Sequence, residues 1–241
     1  MFLDIETVPV SGDFNGLSPE MAHLWEDKFS SLQRYLTEKH GEDITAENAF
    51  MQNAGIYSEF GKIVCISVGF IYYRDGEMFF RTKSFAGSDE VKILTDFANL
   101  ITASWTTVEH RFCGHNIKEF DIPYICRRMV INNLQIPPIL DVSGKKPWET
   151  SFLDTLELWK FGDKKSYTSL KLLTAVLGIP TPKDDIDGSQ VAQVYYEEKD
   201  IARIATYCQK DVLATAQVFL RLNRSGVVKD CNIEHIQDEY T

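Results

Sequence analysis

The sequence predicts an α/β fold in which a mixed sheet is flanked by helices. The chain begins with strand-like alternation, continues through two further strand-like segments joined by an Asp-Gly turn, and ends in a long amphipathic helix. Its 241 residues, of which 44% are hydrophobic, suffice for one substantial domain with a large buried core. We therefore expect residues 1–241 to form a single domain.

The first strand is predicted over residues 1–8. Alternation with a period of two residues places Asp4 and Glu6 on one face of this strand. Leu3 and Ile5 point to the opposite face. Two carboxylates would then lie side by side on the sheet.

A helical insertion is predicted over residues 18–54, directly after the first strand. Pro19 stands where a proline favours the first turn of a helix. Apolar residues then recur at roughly helical spacing: Leu24, Trp25, Phe29, Leu32 and Leu36.

A β-hairpin is predicted next, from strands over residues 62–73 and 78–84. The Asp75-Gly76 pair between them is a typical hairpin turn signal. Residues 91–101 follow with apolar side chains at helical spacing, and residues 107–113 predict a short strand.

The second half of the chain is mostly helical. Residues 152–159 are apolar and fit either a strand or a helix, and residues 180–187 predict a loop. Gly178 is placed as the C-terminal cap of the helix before it. Helices are predicted over residues 121–132, 169–177, 189–196 and 200–223.

The last helix carries an acid at the edge of its buried face. At about 100° per residue, Asp211 points only about 20° from Ile204. Tyr207 is one turn earlier, at the spacing that lets two helical side chains serve one site. The buried stripe comprises Ile201, Ile204, Ala205, Cys208, Val212, Thr215, Ala216 and Phe219.

Four carboxylates in partly buried segments indicate a divalent metal site. Like charges in a desolvated site either raise their pKa values or require an opposite charge. Oxygen ligands favour Mg²⁺ or Mn²⁺ over zinc, and the sequence has no Cys/His cluster at zinc spacing. Each acid alone has an ordinary structural explanation, so the prediction depends on the combination of Asp4, Glu6, Asp121 and Asp211.

These acids lie in three ordered motifs that resemble those of DEDD-type 3′–5′ exonucleases. The motifs are Asp4-Ile5-Glu6, residues 116–121 and Tyr207-x-x-x-Asp211. The third resembles the tyrosine subclass, since Thr206 stands where the histidine subclass has its histidine.

Three finer segments, residues 4–9, 114–116 and 187–191, narrow the resemblance. They are similar to the bacterial predicted exonucleases related to the proofreading domain of family-B DNA polymerases. The resemblance covers essentially the full chain, and it implies the ribonuclease H-like fold that the predicted element order also matches.

By resemblance, Asp4 would bridge two Mg²⁺ or Mn²⁺ ions and Asp211 would hold the ion that activates water. Glu6 and Asp121 would complete the metal site. Two metals about 3.5 to 4 Å apart can both activate water and stabilise the leaving oxygen. Tyr207 would orient the water, because a hydroxyl with a pKa near 10 is a poor base at neutral pH.

Five residues of these motifs are expected to contact substrate. Asn116 would hydrogen-bond the terminal nucleotide, and Phe120 would pack on its sugar or base. Ile5, Thr7 and His115 complete the set, although His115 fits equally a hydrogen-bonded histidine at a strand end.

Several further residues fit structural roles better than functional ones. Trp159, Tyr167 and Tyr196 could stack on bases, but packing is the preferred interpretation for each. Asp154 and Asp187 are interpreted as helix caps or supporting contacts.

Charge and cysteine content restrict the partners and the compartment. A net charge of −10 argues against a protein that coats long duplexes. Five scattered cysteines and the absence of a leader before the first motif favour a cytoplasmic protein without a membrane partner, although Met1 need not be the natural initiator.

The expected substrate is a single-stranded nucleic acid with a free 3′ end, with DNA favoured over RNA. An exoribonuclease of the same subclass remains an alternative, because the motifs bind phosphates and metals and do not distinguish the sugar. An inactive nucleic-acid-binding module with this fold also stays open. The sequence identifies no polymerase or repair partner.

Overall fold

The computed structural model describes residues 1–41, 43–104, 110–163, 167–180 and 186–236. It contains a mixed six-stranded sheet flanked by helices, which confirms the predicted α/β fold. The strands are β1 (Phe2–Pro9), β2 (Gly61–Arg74), β3 (Glu77–Ala86), β4 (Cys113–Gly114), β5 (Leu153–Asp154) and β6 (Ile233–His235).

The spatial order of the strands is β5-β4-β1-β2-β3-β6. β1, β2 and β3 are antiparallel neighbours, while β4 and β5 continue the sheet parallel to β1. β6 adds a parallel edge strand beside β3 that the sequence analysis did not predict.

Helices cover both faces of the sheet. They are α1 (Pro19–His40), α2 (Ala46–Asn53), α3 (Glu90–Ser104), α4 (Asp121–Ile131), α5 (Thr155–Lys160), α6 (Leu170–Val176), α7 (Val191–Gln193) and α8 (Ile201–Leu222). The π-helix Val194–Glu198 continues α7 directly.

β1 separates two apolar layers, as its alternation predicts. Leu3 and Ile5 pack with residues of α3 and α4, whereas Phe2 and Val8 pack with residues of α8. The two acids of β1 lie between Phe2 and Val8 on the strand, so they face α8.

The sheet opens between β1 and β4 immediately after its first pair. These strands pair at Phe2 and Cys113 and then diverge, since the chain turns at Asn116, whose φ is 67°. Ligand sites in α/β folds commonly lie at such openings beyond the ends of parallel strands. The N-terminus of α4 occupies this opening.

A buried ion pair holds α4 in place. Arg128 of α4 binds Glu90 of α3 with a nitrogen–oxygen distance of 2.6 Å, and both side chains are buried. Glu90 also accepts a hydrogen bond from the backbone of Ile63 in β2 at 2.7 Å. This contact fixes the two helices relative to the sheet.

The helical insertion over residues 18–54 is confirmed as α1 and α2. These helices enclose a separate aromatic cluster in which Trp25 lies edge-on against Phe50 and Phe60. The Trp25 indole also donates a hydrogen bond to the carbonyl oxygen of Ala46 at 2.8 Å.

Three predicted elements differ in detail. Of the strand predicted over residues 107–113, positions 107–109 lie outside the described residues, and only Cys113 of the rest belongs to β4. The ambiguous segment 152–159 contains β5 followed by α5, because the Asp154 side chain caps the helix. The helix predicted over residues 189–196 is the short α7 and its π-helical continuation.

None of the helices within the described ranges is long and apolar enough to cross a membrane. Cys65, Cys113 and Cys208 are buried free thiols, Cys126 is half-buried, and Cys231 is exposed. Three of the five thiols are therefore buried.

Candidate metal centre and its cavity

A cavity of about 370 Å³ collects the acids of all three motifs. Its size lies at the lower end of the roughly 300–1,000 Å³ typical of small-ligand sites, so it suits a single nucleotide better than a duplex. Its walls are formed by Asp4, Ile5, Glu6, His115, Asn116, Phe120, Asp121, Tyr167, Leu170, Gly188, Tyr207 and Asp211.

Asp4 and Glu6 lie beside a thiol of α8. One ligand atom from each of Asp4, Glu6 and Cys208 can be chosen so that all three lie within 4.8 Å of one another. The Cys208 thiol lies 3.5 Å from a carboxylate oxygen of Asp4 and donates to it. Glu6 is 7% exposed, and no described residue donates a hydrogen bond to its carboxylate.

Asp121 reaches the same cavity from the N-terminus of α4. It is 2% exposed, and its carboxylate accepts hydrogen bonds from its own backbone N–H and from that of Ile5. The Ile5 amide is available for this bond because β4 has already diverged from β1. The first and second motifs therefore touch through the backbone.

Tyr207 and Asp211 complete the cavity from α8. They are one turn apart, and the Tyr207 hydroxyl is hydrogen-bonded to the Asp211 carboxylate. Burial, followed by the charge of Asp211, raises the pKa of Tyr207 well above its ordinary value. The hydroxyl is therefore protonated at neutral pH, and it can donate or accept a hydrogen bond but cannot act as a base.

Neither lysine nor arginine is among the described residues that line the cavity. Burial, followed by the neighbouring carboxylates, raises the pKa values of Asp4 and Glu6 well above their ordinary range. Two unit charges about 4 Å apart repel by about 4 kcal/mol at an effective dielectric constant of about 20. A buried Glu6 carboxylate that accepts no hydrogen bond from a described residue, beside three other acids, fits a divalent cation, whose charge would offset this repulsion.

This repulsion predicts the pH dependence of the metal-free protein. Burial is the main cause that raises the pKa of Asp121 from 3.8 to about 7. Between these values the folded state binds more protons than the unfolded state, so stability is present at low pH and is lost as pH rises. A single such group changes the free energy of unfolding by up to about 1.4 kcal/mol per pH unit.

We therefore expect the metal-free protein in EDTA to lose stability between pH 5 and pH 7. Urea denaturation at both pH values measures the loss, and Asp121→Asn should reduce it. Millimolar Mn²⁺ at pH 7 should restore stability to the wild-type protein. An Asp121→Asn variant with the wild-type pH dependence would contradict the assigned pKa.

Asp154 is a positioning residue, which the sequence indicated as a helix cap or a supporting contact. It is 3% exposed and caps α5 by accepting from the backbone N–H of Leu156 at 2.9 Å. The same carboxylate accepts from the backbone N–H groups of Asn116 at 3.0 Å and Lys118 at 3.3 Å. Asp154 therefore fixes the strained turn that presents Asn116 to the cavity.

His115 lines the cavity, but both of its ring nitrogens have partners in the protein. Nε2 lies 2.9 Å from the carbonyl oxygen of Thr168, and Nδ1 lies 2.9 Å from the hydroxyl of Thr155. A carbonyl can only accept, so Nε2 carries the proton. Burial lowers the pKa of His115, which favours the neutral ring that accepts at Nδ1.

Of the other four expected substrate contacts, the structure places three at the cavity wall. Phe120 and Asn116 line the cavity, and so does Ile5, whose side chain packs in the core below it. Thr7 is not among the described residues of the cavity wall, and its side chain is hydrogen-bonded to Tyr124. Its contact with substrate stays a prediction that this geometry does not favour.

Two basic side chains near the second motif form ion pairs within the protein. Lys118 forms an ion pair with Glu157 at 2.6 Å, and Arg128 is buried against Glu90. Lys164 and Lys165 lie outside the described residues.

Sequence reasoning did not place Tyr167, Leu170 or Gly188 at the site. Gly188 does lie in the 187–191 segment that carried the finer resemblance, so that segment was the available signal. Nothing in the sequence around Tyr167 distinguishes it from an aromatic residue that packs in the protein. The sequence pattern predicted Cys208 only as part of the buried stripe of the last helix.

Comparisons with known proteins identify the family. The family model described as a predicted 3′–5′ exonuclease related to the exonuclease domain of PolB matches residues 56–237. The matched segment contains the second and third motifs, while Asp4 and Glu6 precede it. No curated protein matches the chain.

Among solved structures, the chain is similar to the family B DNA polymerase from the hyperthermophilic archaeon Pyrobaculum calidifontis. The identity is 14% and the TM-score is 0.47, over 67% of this chain and 21% of that one. The chain thus spans about a fifth of the polymerase. The family match covers well over half of the chain and confirms the resemblance seen in its motifs. The protein belongs to the family of predicted 3′–5′ exonucleases related to the exonuclease domain of PolB.

Proposed function

We propose that this protein is a metal-dependent 3′–5′ exonuclease that removes nucleotides from single-stranded DNA with two divalent ions. The observation that carries the proposal is the convergence of four acids, from segments up to about two hundred residues apart, on one nucleotide-sized cavity. An inactive binding module would have no need to bury Glu6, which accepts no hydrogen bond from a described residue, beside three other carboxylates.

Asp4, Glu6, Asp121 and Asp211 would hold Mg²⁺ or Mn²⁺. When bound, such ions lower the pKa of an attacking water and neutralise charge on the leaving oxygen. These carboxylates would hold the ions between β1, α4 and α8, the elements that carry them.

Tyr207 would orient the attacking water. Its hydroxyl hydrogen is directed at Asp211, so the lone pairs of the phenolic oxygen can accept a hydrogen bond from the water. Because the hydroxyl is held one helical turn from Asp211, the water would be fixed beside the metal site. Tyr207 would not accept the proton of that water, because its raised pKa keeps the hydroxyl protonated at neutral pH.

Asn116 and Phe120 would hold the terminal nucleotide against the acids. The Asn116 side chain offers both a donor and an acceptor, and the Phe120 ring offers an apolar surface for a sugar or a base. A strand that must enter a single-nucleotide cavity has to leave its partner, which costs a few kcal/mol on a matched duplex. We infer a preference for single strands on this ground.

Digestion of 5′-labelled strands tests the proposal. DNA and RNA of identical sequence are incubated with Mg²⁺, Mn²⁺ or EDTA, and products are resolved at single-nucleotide length. We expect ladders that shorten from the 3′ end, faster for DNA than for RNA, and no products in EDTA. A 3′-blocked strand and a circular single strand serve as controls.

Each alternative gives a different pattern in this assay. Faster cutting of RNA would assign the protein to the exoribonucleases. Cleavage of the circle would mean an endonuclease and would overturn the 3′–5′ direction. Intact strands in every metal, together with retained binding, would favour the inactive module.

We also infer that residues 1–241 form one domain and that the protein is cytoplasmic. Free thiols at all five cysteines, with no disulfide among the described residues, fit a reducing compartment.

A further inference from the structure

Tyr167 is an exposed aromatic residue on the wall of the acidic cavity. Its side chain is 68% exposed although it lines the same cavity as Asp4 and Asp121. Trp159 packs against the cluster around Leu173, which is the role expected for all three late aromatics. Tyr167 departs from that expectation, because most of its side chain is not packed against other residues.

Tyr196, the third of these aromatics, is also engaged within the protein. Its hydroxyl donates to the carbonyl oxygen of Pro9, and its ring lies where a Cβ at Gly12 would stand 2.6 Å away. Of the three aromatics named from the sequence, Tyr167 therefore has the ring that is open to a ligand in the cavity.

The position of Tyr167 is fixed through His115. The two rings lie edge to face with their centroids 6.4 Å apart and an angle of 70°. His115 also donates to the backbone carbonyl of Thr168, the next residue, and it is anchored to Thr155 at the start of α5. Thr155, which is buried at the start of α5, therefore holds the His115 ring, and the His115 ring contacts the exposed ring of Tyr167.

An uncharged aromatic wall suits this cavity. Four acids repel a phosphodiester until cations are bound, so affinity for the rest of the nucleotide has to come from groups without negative charge. An aromatic ring provides it by stacking, and every base has a face for stacking. Phe120 is less open, since its ring packs on Tyr124 with centroids 5.4 Å apart.

We propose that Tyr167 stacks on the 3′-terminal nucleobase of the substrate and that His115 is the positioning residue for Tyr167. The inference rests on the proposed function, because it assigns the nucleotide subsite of that site. The terminal base is chosen over the next one because Tyr167 shares a nucleotide-sized cavity with the acids that surround the scissile bond.

A cycle of two substrates and two proteins measures the stacking. The substrates are a 5′-labelled single strand and the same strand with an abasic 3′-terminal nucleotide. The proteins are the wild type and Tyr167→Ala, and kcat/KM is measured for the first nucleotide removed. Loss of one stacked base is expected to lower kcat/KM by about 10- to 100-fold.

We expect Tyr167→Ala and the abasic end each to cause this loss, and the two together to cause no more than either alone. Tyr167→Phe keeps the ring and should remain within about threefold of the wild type, since stacking does not need the hydroxyl. His115→Ala should lose activity on the normal strand and little on the abasic one. Trp148→Ala serves as the control, because Trp148 is 76% exposed and does not line the described cavity.

Additive losses, or a Tyr167→Ala variant with wild-type kcat/KM, would overturn the stacking. A larger penalty from an abasic next-to-last nucleotide would move the contact away from the terminal base and overturn that assignment.

A binding measurement separates this inference from the proposed exonuclease activity. The probe is a strand ending in 2-aminopurine, whose fluorescence falls on stacking, added to the protein with Ca²⁺. Quenching by the wild type and its loss in Tyr167→Ala would support stacking even if no strand were cleaved. Cleavage without a difference in quenching between the two proteins would leave the exonuclease standing and reject the role of Tyr167.

Discussion

Asp4→Asn should lower the rate of 3′-end cleavage by at least about 10³-fold, because a metal ligand supplies several kcal/mol of charge stabilisation. Asparagine keeps the shape of the side chain and an oxygen that can accept from the Cys208 thiol, so the fold should persist. Asp211→Asn is expected to behave in the same way. Single-turnover cleavage in Mn²⁺ and calorimetric titration with Mn²⁺ measure the two losses.

The same substitution should not destabilise the metal-free protein. Asp4 shares the buried site with Asp121 and Asp211, so removing its charge relieves repulsion. We expect the melting temperature of Asp4→Asn in EDTA at pH 7 to equal or exceed that of the wild type. Asp27→Asn, an exposed change on α1, provides the matched control for both measurements.

An Asp4→Asn variant with near wild-type cleavage would remove Asp4 from the metal site. A variant that is inactive but also melts well below the wild type in EDTA would show that the carboxylate stabilises the fold, contrary to the repulsion argued here.

Tyr207→Phe should lower the rate of cleavage by about 10²- to 10⁴-fold, the range typical of groups that position or move a proton in the transition state. Only the hydroxyl is lost, and the four carboxylates remain, so the affinity for Mn²⁺ should stay nearly unchanged. Single-turnover rates at saturating enzyme separate the chemical step from substrate binding.

The pH profile distinguishes positioning from base catalysis at Tyr207. Because its pKa is raised, the hydroxyl stays protonated across the neutral range, and the residual activity of Tyr207→Phe should follow the wild-type profile. Tyr35→Phe, a change of the same kind at an exposed position on α1, should have no effect. Wild-type turnover in Tyr207→Phe would return Tyr207 to a packing role.

Thr7 and Tyr167 show which side-chain directions a local sequence pattern can predict and which it cannot. Alternation along β1 already assigns Thr7 to the face of Leu3 and Ile5, away from the acids, and the structure places it there beside Tyr124. Its inclusion among the substrate contacts came from its place in a motif and not from its direction. Tyr167 has no such periodic context, so nothing local predicted that its ring would be exposed.

The predicted helix and strand boundaries were wrong where strand pairing or helix capping depends on another segment of the chain. β4 is only two residues long because it diverges from β1 after Cys113, and β6 exists only because β3 offers it an edge. The change from strand to helix at residue 154 follows from a carboxylate that also binds Asn116 and Lys118. Each of these depends on contacts between residues far apart in the chain.

The sequence by itself determined the fold class, the family resemblance and the direction of Asp4, Glu6 and Asp211 relative to their own strand or helix. These follow from periods of two and 3.6 residues, which depend only on local backbone geometry. The tertiary structure decided which elements face each other, and so it alone brought Cys208 against Asp4, gave both nitrogens of His115 partners, and left Tyr167 open to the cavity. A periodic pattern fixes the face of the strand or helix on which a side chain lies. The distance from that side chain to a group many residues away is set by the packing of the whole sheet and its helices.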